Sequence, residues 1–306
     1  MKGDDSVSIK QTLALLTIGA ALLSGCGSGQ SAAGEAAVAK PEQNLEALSD
    51  EFDNAASLAG WTELSDVEGH KNFVERLEVN EKHAGELFLA PYASGWFEDD
   101  RGAFLFKKVT GDFDVTFRLL TTGKETDVPQ KSYSLAGLMA RAPRDVTMET
   151  WAPGEENWIF ITTGYGAYTK FVKQIETKTT VNSKSDLRLT NIRDGWIELR
   201  VIRLGGVFFT LYKVEDGTWT RGRAFLRPDL PETLQVGIAA YSNGAHFGSD
   251  RTPMEFNTNP ENGPADLLVR GDYIRFQRPD LPEELAAQLR DGTLSDSALI
   301  EHLNKQ

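Results

Sequence analysis

Trp196-Ile197-Glu198-Leu199-Arg200-Val201-Ile202-Arg203-Leu204, then Gly205-Gly206, then Val207-Phe208-Phe209-Thr210-Leu211-Tyr212-Lys213-Val214: this stretch decides the fold. Ile197, Leu199 and Val201 alternate with Glu198 and Arg200, the period-two signature of a half-buried strand. Two glycines between two such runs make a tight hairpin turn, because glycine takes left-handed backbone angles without a steric penalty. Asp216-Gly217 separates the second run from Thr218-Trp219-Thr220 as a further turn.

The pattern extends in both directions. Upstream lie Phe104-Leu105-Phe106, then Val115, Phe117 and Leu119 alternating with Thr116 and Arg118. Leu135 to Arg141 is small and apolar, Trp158 to Thr163 is aromatic and β-branched, and Tyr168 to Val181 is rich in Thr, Val and Lys. Downstream, Leu234 to Ser242 and Tyr273 to Gln277 close the series. Many short strands punctuated by turns, with few helices, predict an all-β chain: an antiparallel sandwich or jelly roll. Residues 121–131 and 243–271 read as long loops. After Pro282 the spacing becomes helical, with Leu285, Ala286 and Leu289 before Asp291-Gly292, and Leu299, Ile300 and Leu303 after a capping-box spacing at Thr293–Asp296. A short helical hairpin over 282–304 is expected, packed on the sandwich or offered to a protein partner.

The N-terminal end is different in kind. Thr12 to Leu22 is uncharged and apolar, and the single cysteine of the chain, Cys26, follows in Leu23-Ser24-Gly25-Cys26. A lone cysteine makes no internal disulfide. The run has the length of a signal h-region and falls short of a bilayer span. The tetrapeptide resembles the lipobox of bacterial lipoproteins. That resemblance implies a signal peptide over 1–25, cleavage before Cys26, and attachment there of fatty acids such as palmitate. More than one acyl chain anchors a protein stably. Gly27 in place of Asp implies the outer membrane in a Gram-negative envelope. Residues 26–44, rich in Gly, Ser, Ala, Glu and Pro, read as a flexible tether, with the sandwich over 45–281 and a helical segment over 282–306.

The chain has 306 residues, with 32 basic and 45 acidic side chains and a net charge of −13. Removing residues 1–25 takes away Lys2, Lys10, Asp4 and Asp5, so that charge is unchanged. Such an acidic chain repels phosphate backbones, which argues against nucleic acid as a partner. Among glycans the same repulsion favours neutral ones.

Several segments together resemble one family: Asp50-Glu51-Phe52-Asp53, Gly60-Trp61-Thr62, Gly111-Asp112-Phe113-Asp114-Val115, Ala136-Gly137-Leu138-Met139-Ala140-Arg141, Glu156-Asn157-Trp158, Trp196 to Arg200, and Val236-Gly237-Ile238-Ala239-Ala240. In this order, over residues 48–278, they resemble the concanavalin A-like lectin/glucanase domains of the "regulation of enolase protein 1-like" family, a type of domain also found C-terminal to some β-xylosidases. The resemblance implies a concanavalin A-like β-sandwich and a carbohydrate ligand. One feature departs from it. Where family members often carry an acidic residue and a glutamine before the Ala-Gly-Leu-Met stretch, this chain has Tyr133-Ser134-Leu135.

Most catalytic signatures are absent from the sequence. There is no Glu-x-Asp-x-Glu strand of the laminarinase type, no Gly-x-Ser-x-Gly elbow and no phosphate loop. His70, His83, His246 and His302 stand at no metal-ligand spacing. Asp50 and Asp53 near the first strand, with Asp272 before the last, are candidates for a structural calcium if those strands pair; no other cofactor is implied. Binding is better served. Aromatic rings stack on the C–H faces of sugars while Arg and Asn meet the hydroxyls. Trp96, Arg141, Trp158, Tyr165, Tyr241 and Asn243 are the candidate ligand residues, with Trp96 at the rim of a groove and Met139 and Arg141 sharing the open strand face. Three functions remain open: carbohydrate binding by a lipid-anchored cell-surface protein, hydrolysis of keto-modified disaccharides, and a non-catalytic interaction module.

Cys26→Ser is expected to abolish fatty-acid labelling and leave an unprocessed or mislocalised chain. Metabolic labelling with a radioactive fatty acid checks this, and undiminished label in the variant would overturn the lipobox reading.

Overall fold

A computed structural model describes residues 42–215, 217–244, 252–259, 263–290 and 293–305. Cys26, the signal region, residues 26–41 of the expected tether and His246 lie outside the described residues.

Two seven-stranded sheets face each other. The front sheet runs β1 (Thr62–Glu63), β4 (Ala103–Thr110), β13 (Thr233–Tyr241), β6 (Ser134–Arg141), β7 (Trp158–Tyr165), β8 (Gln174–Val181), β9 (Lys184–Asn191). The back sheet runs β12 (Thr220–Leu226), β11 (Val207–Val214), β10 (Ile197–Leu204), β5 (Phe113–Thr122), β14 (Leu268–Gln277), β3 (Leu87–Pro91), β2 (Val74–Val79). Every strand pairing is antiparallel. The chain is therefore an antiparallel β-sandwich, and the Gly205-Gly206 hairpin is as expected: Leu204 faces Val207, with Gly205 at φ 59°.

The alternation of each strand sorts its residues between two environments. Leu138, Ala140, Ile159, Ile161, Val236 and Ile238 meet Val115, Phe117, Leu199 and Val201 between the sheets and form the main core. Their neighbours Met139, Trp158, Phe160, Ala239 and Tyr241 form a second apolar cluster, on the outer face of the front sheet, with Phe104, Phe106, Leu64 and Trp96. Gly237 keeps its pairing close: a Cβ there would lie 2.0 Å from the Leu105 carbonyl oxygen.

Several elements differ from the sequence expectation. β2 and β3 precede Phe104, and β9 pairs with β8 through a turn at Asn182-Ser183, both in left-handed backbone. Residues 168–173 are a loop, and only Gln174–Val181 is strand. The presumed loop 243–271 holds α2 (Pro253–Thr258), with a full capping box between Thr252 and Glu255, and the first residues of β14. Gln43 is already fixed: its side chain bonds Lys108 O and Thr110 N.

The C-terminal hairpin is present as α3 (Glu283–Arg290) and α4 (Asp296–Leu303). Its second N-cap is Ser295, whose hydroxyl accepts from Ala298 N, and not Thr293. Leu299 and Leu303 pack on Ile202, Phe209, Leu211 and Trp219, on the outer face of the back sheet. Burying a leucine there stabilises the fold, so Leu299→Ala is expected to lower unfolding free energy by about 2–4 kcal/mol in urea denaturation. A loss under about 0.5 kcal/mol, the level of a surface change, would mean that the hairpin does not pack there.

Candidate functional site

Strand register organises the outer face of the front sheet into rows. Lys178, Phe160, Met139, Gly237 and Phe106 make one row; Thr180, Trp158, Arg141, Gln235 and Lys108 make the next. On the other side come Glu176, Thr162, Gly137, Ala239 and Phe104, then Gln174, Gly164, Leu135 and Tyr241. Trp158, Arg141 and Tyr241 do share one face, with Met139 and Arg141 on the same side of β6.

That face is largely closed by the chain itself. Trp96 has no exposed surface; its ring meets Phe104 and Trp158 edge-on, with centroids 6.1 Å away in each case. Its indole N–H donates to Ala103 O at 3.2 Å, and its carbonyl accepts from Lys178 Nζ at 2.7 Å. Trp96 is thus a core residue and not a rim residue. Trp158 is equally buried and stacks on Phe160 at 4.9 Å. The bracketing Gly95 and Gly102 are the only local hint: a Cβ on Gly102 would lie 2.9 Å from the Trp96 indole nitrogen.

Arg141 is also fully buried, and its charge is met on every side. It forms a bidentate pair with Glu156 (2.8 and 2.9 Å) and bonds Glu68 Oε1 at 2.7 Å and Gln235 Oε1 at 2.8 Å. Arg101 reaches Glu68 at 2.6 Å and Glu156 at 3.0 Å, and Arg144 reaches Glu156 at 2.8 Å. Burial opposes the Arg141 cation, but Glu156 and Glu68 outweigh it and raise its pKa. Burial likewise opposes the Glu156 anion, and Arg141 and Arg101 hold it below the usual carboxylate range. The expectation of Arg141 on an open face is corrected: it is the centre of a buried ion network. His70 beside it is lowered to about 4 by burial and by Arg101.

A different part of the face holds a second buried polar set, with exposed rings around it. Glu176 Oε1 lies 2.8 Å from Lys178 Nζ, and Glu176 Oε2 accepts from the Tyr241 hydroxyl. Burial and then Glu176 raise the Tyr241 pKa well above its ordinary value; burial lowers that of Lys178. Lys178 Nζ is 4.7 Å from the Phe160 ring, 5.6 Å from Tyr241 and 5.5 Å from Phe97. Around this floor stand exposed or half-exposed groups: Phe97 (42 %), Tyr168 (91 %), Tyr133 and Asp100. Tyr133, raised by burial and by its bond to Tyr168, also feels Glu176. Asp100 is pushed up to about 7 by burial, then by Asp99 and Glu98, against the pull of Lys178.

The backbone around this floor is strained. Glu98, Tyr133, Tyr168, Phe171 and Asn243 all have φ between 51° and 65°. Bulky residues avoid that region, and such outliers gather at functional sites. Tyr165 and Asn243 sit at the same end, although both are largely buried: Tyr165 OH donates to Thr169 O at 2.7 Å, and Asn243 Nδ2 to Pro264 O at 3.1 Å. Sequence reasoning missed Phe97, Tyr133, Glu176 and Lys178 as a set; only the Lys-Thr alternation of β8, odd for an interior strand, signalled them.

Two of the three calcium candidates, Asp50 and Asp272, bond protein groups, and Asp53 offers its backbone carbonyl to Asn80 Nδ2. Asp50 accepts from Phe52 N and Trp61 Nε1, both at 2.9 Å, and Asp272 pairs with Arg118 at 2.6 Å. Among the described residues no group of three or more His, Cys, Asp or Glu is placed to hold a metal ion. An open cleft of about 650 Å³ lies between residues 42–46 and Arg278, but that cation is already taken by Glu42 and by the carbonyls of Gln43, Thr110 and Asp112.

His70 and Asp100 give opposite pH slopes. The folded value of His70, about 4, lies below its ordinary 6.5, so its contribution is complete above 6.5 and is lost as pH falls toward 4. The folded value of Asp100, about 7, lies above 3.8, so its contribution is complete below 3.8 and is lost as pH rises through 7. Asp100→Asn does not titrate, so its stability relative to wild type is expected to grow by roughly 2–4 kcal/mol between pH 4 and pH 8. Urea denaturation at both pH values checks this; a constant difference would refute it.

No family model matches the sequence, and no curated protein matches it. Solved structures match the fold. The glycoside hydrolase family 43 protein BlXynB of Bacillus licheniformis aligns over 76% of this chain and 40% of its own, at 14% identity and a TM-score of 0.51. The GH43B protein of a Bacteroides ovatus xyloglucan locus aligns over 78% and 40%, at 14% identity and 0.51. A legume lectin-like domain from Entamoeba histolytica aligns over 74% and 94%, at 11% identity and 0.44. The chain thus spans well under half of the two hydrolases, and at these identities the likeness is one of fold: this chain is similar to the β-sandwich domains of such proteins.

Proposed function

We propose that the chain is a lipid-anchored protein of the bacterial cell envelope that binds neutral carbohydrate on the outer face of its front sheet. The observation that carries the binding is the aromatic rim, Phe97 with Tyr133 and Tyr168, the two tyrosines in left-handed backbone, around the buried Glu176–Lys178–Tyr241 set. Tyr168 is the most exposed large apolar side chain among the described residues, and it is held at φ 65°. A ring placed so can stack on a sugar face. The sandwich domains of hydrolases that act on plant polysaccharides share this architecture, which supports a carbohydrate ligand without fixing one. The anchor rests on Cys26 and the apolar run before it.

Hydrolysis is the second reading, and Asp100 favours it. A carboxyl held near 7 can donate a proton at neutral pH, as the general acid of a glycosidase does. The interaction-module reading is weakened, because the apolar side of the C-terminal hairpin is spent on the sandwich.

A glycan-array screen with the full chain in detergent, followed by product analysis on each hit, separates binding from turnover. Tyr168→Ala is expected to weaken binding of a hit about tenfold, the scale of one stacking contact, with an unchanged melting temperature. Equal affinity of the variant and wild type would remove the rim from the site.

A further inference from the structure

We propose that β9 pairs with β9 of a second copy of the chain, so that two molecules share one continuous sheet about a two-fold axis at Leu187.

The edges of the two sheets are not alike. β1 is only two residues long. β2 carries a register shift between Val74 and Arg76. β12 carries one between Arg221 and Arg223, and its Arg221 pairs with Asp296 of α4. These are ways in which a sheet blunts an edge. β9 (Lys184–Asn191) is eight residues long, with no register shift, proline or glycine.

Its backbone groups sort into two sets. β8 and β9 turn at Asn182-Ser183, with φ 46° and 60°, and Val181 faces Lys184. Residues flanking such a two-residue turn exchange both backbone hydrogen bonds, so Lys184, Asp186, Arg188 and Thr190 bond β8. Ser185 and Thr180 form the close pair without backbone bonds, and their hydroxyls meet at 2.6 Å. Ser185, Leu187 and Leu189 therefore turn their N–H and C=O groups to the open side, where no backbone bond reaches them among the described residues.

The side chains select one register. Ser185, Leu187 and Leu189 are half-buried on the outer face of the front sheet, while Lys184, Asp186, Arg188 and Thr190 are exposed on the other side of the strand. A two-fold axis at Leu187 sets Leu187 against Leu187 and Ser185 against Leu189, and bonds every open N–H and C=O of these residues. On the other side it sets Asp186 opposite Arg188 of the second copy, twice over. Arg188 has no hydrogen bond or ion pair of its side chain among the described residues, and Asp186 pairs with Arg223 while staying largely exposed. Moving the axis by one residue sets Asp186 against Asp186 or Arg188 against Arg188, and like charges directly opposite repel. The alternating charges thus exclude the neighbouring registers and fit this one. Both outer faces then lie on one side of the shared sheet, with the two aromatic rims at its opposite ends. The pairing is independent of the carbohydrate reading.

The test uses the full chain in detergent, by light scattering with the detergent mass subtracted. Wild type is expected to be a dimer at about 100 μM and to dissociate on dilution, since one strand pairing buries less than a standard interface. Arg188→Asp places acidic side chains opposite each other, and Asp186→Arg basic ones. Each alone is expected to weaken dimerisation at least about tenfold. An equimolar mixture of the two should recover a mixed dimer, because every pair is then of opposite sign; that recovery also shows that both variants are folded. Under mild oxidation Leu187→Cys should form a disulfide-linked dimer, since its paired Cα atoms lie about 5.5 Å apart. Lys184→Cys, about 20 Å from its mate in this register, should not, and Cys26 is common to both. A wild-type monomer at that concentration would overturn the proposal. So would a dimer that Arg188→Asp leaves intact, the mark of two chains sharing a micelle. A mixture that does not recover, or cross-linking of Leu187→Cys no greater than that of Lys184→Cys, would overturn it as well.

Discussion

A guanidinium with no exposed surface imposes its requirements on everything around it. Arg141 ends β6 inside the molecule, and its cation is tolerable only because Glu156, Glu68 and Gln235 surround it. Breaking a buried pair of this kind by removing one partner costs about 3–5 kcal/mol, since the other charge is left in low dielectric. The partners come from distant parts of the chain: α1 (Leu64–Glu68), the loop before β7, and β13. Arg101 and Arg144 attach two further loops to the same glutamate. The network therefore draws onto the outer face of the front sheet the segments that would otherwise hang over it as free loops.

The consequence is a face divided in two. On one side, Trp96 lies on Trp158 and Phe104 as if it were a bound aromatic ligand, and the loop that carries it is fastened through Asp99 and through Glu98 N to Ser185. On the other side the strand floor turns polar, and the loops above it present rings to solvent. The back sheet offers no comparable surface at its β10–β12 end, which the C-terminal helices cover. The exposed rings thus gather on the part of the front sheet that the ion network leaves uncovered.

The sandwich was legible because its signal is local. Alternation in β5 and β10 and the Gly205-Gly206 turn need only neighbours in sequence. β9 escaped because this edge strand has only Leu187 and Leu189 as apolar residues, with Lys184, Asp186 and Arg188 exposed, and its turn uses Asn182-Ser183 without a glycine. α2 was legible in principle, since Thr252-Pro253-Met254-Glu255 is a capping box with proline at the first helical position. The recognised motifs proved to be structural chemistry. Asp50 holds the Trp61 indole, Asp114 holds Arg200, and Arg141 holds Glu156. The candidate site was not legible for a physical reason. Whether a residue on the outer face of a sheet meets water depends on loops far away in sequence, and alternation assigns a side but not an exposure. Trp96 and Tyr168 are both aromatic residues in loops, and only tertiary structure makes one a plug and the other a rim.

The hitch at Gln43 gives the molecule a direction. Gln43 is tied to Lys108 and Thr110, at the end of β4 where β13 begins, whereas Tyr133, Tyr168 and Asn243 stand where β13 finishes. Roughly 20–25 Å of strand separates the two poles. Gln43 thus lies at the pole opposite the aromatic rim. Anything that grips the molecule at the Gln43 pole leaves the aromatic pole free. The separation of the two poles is a property of sheet topology alone.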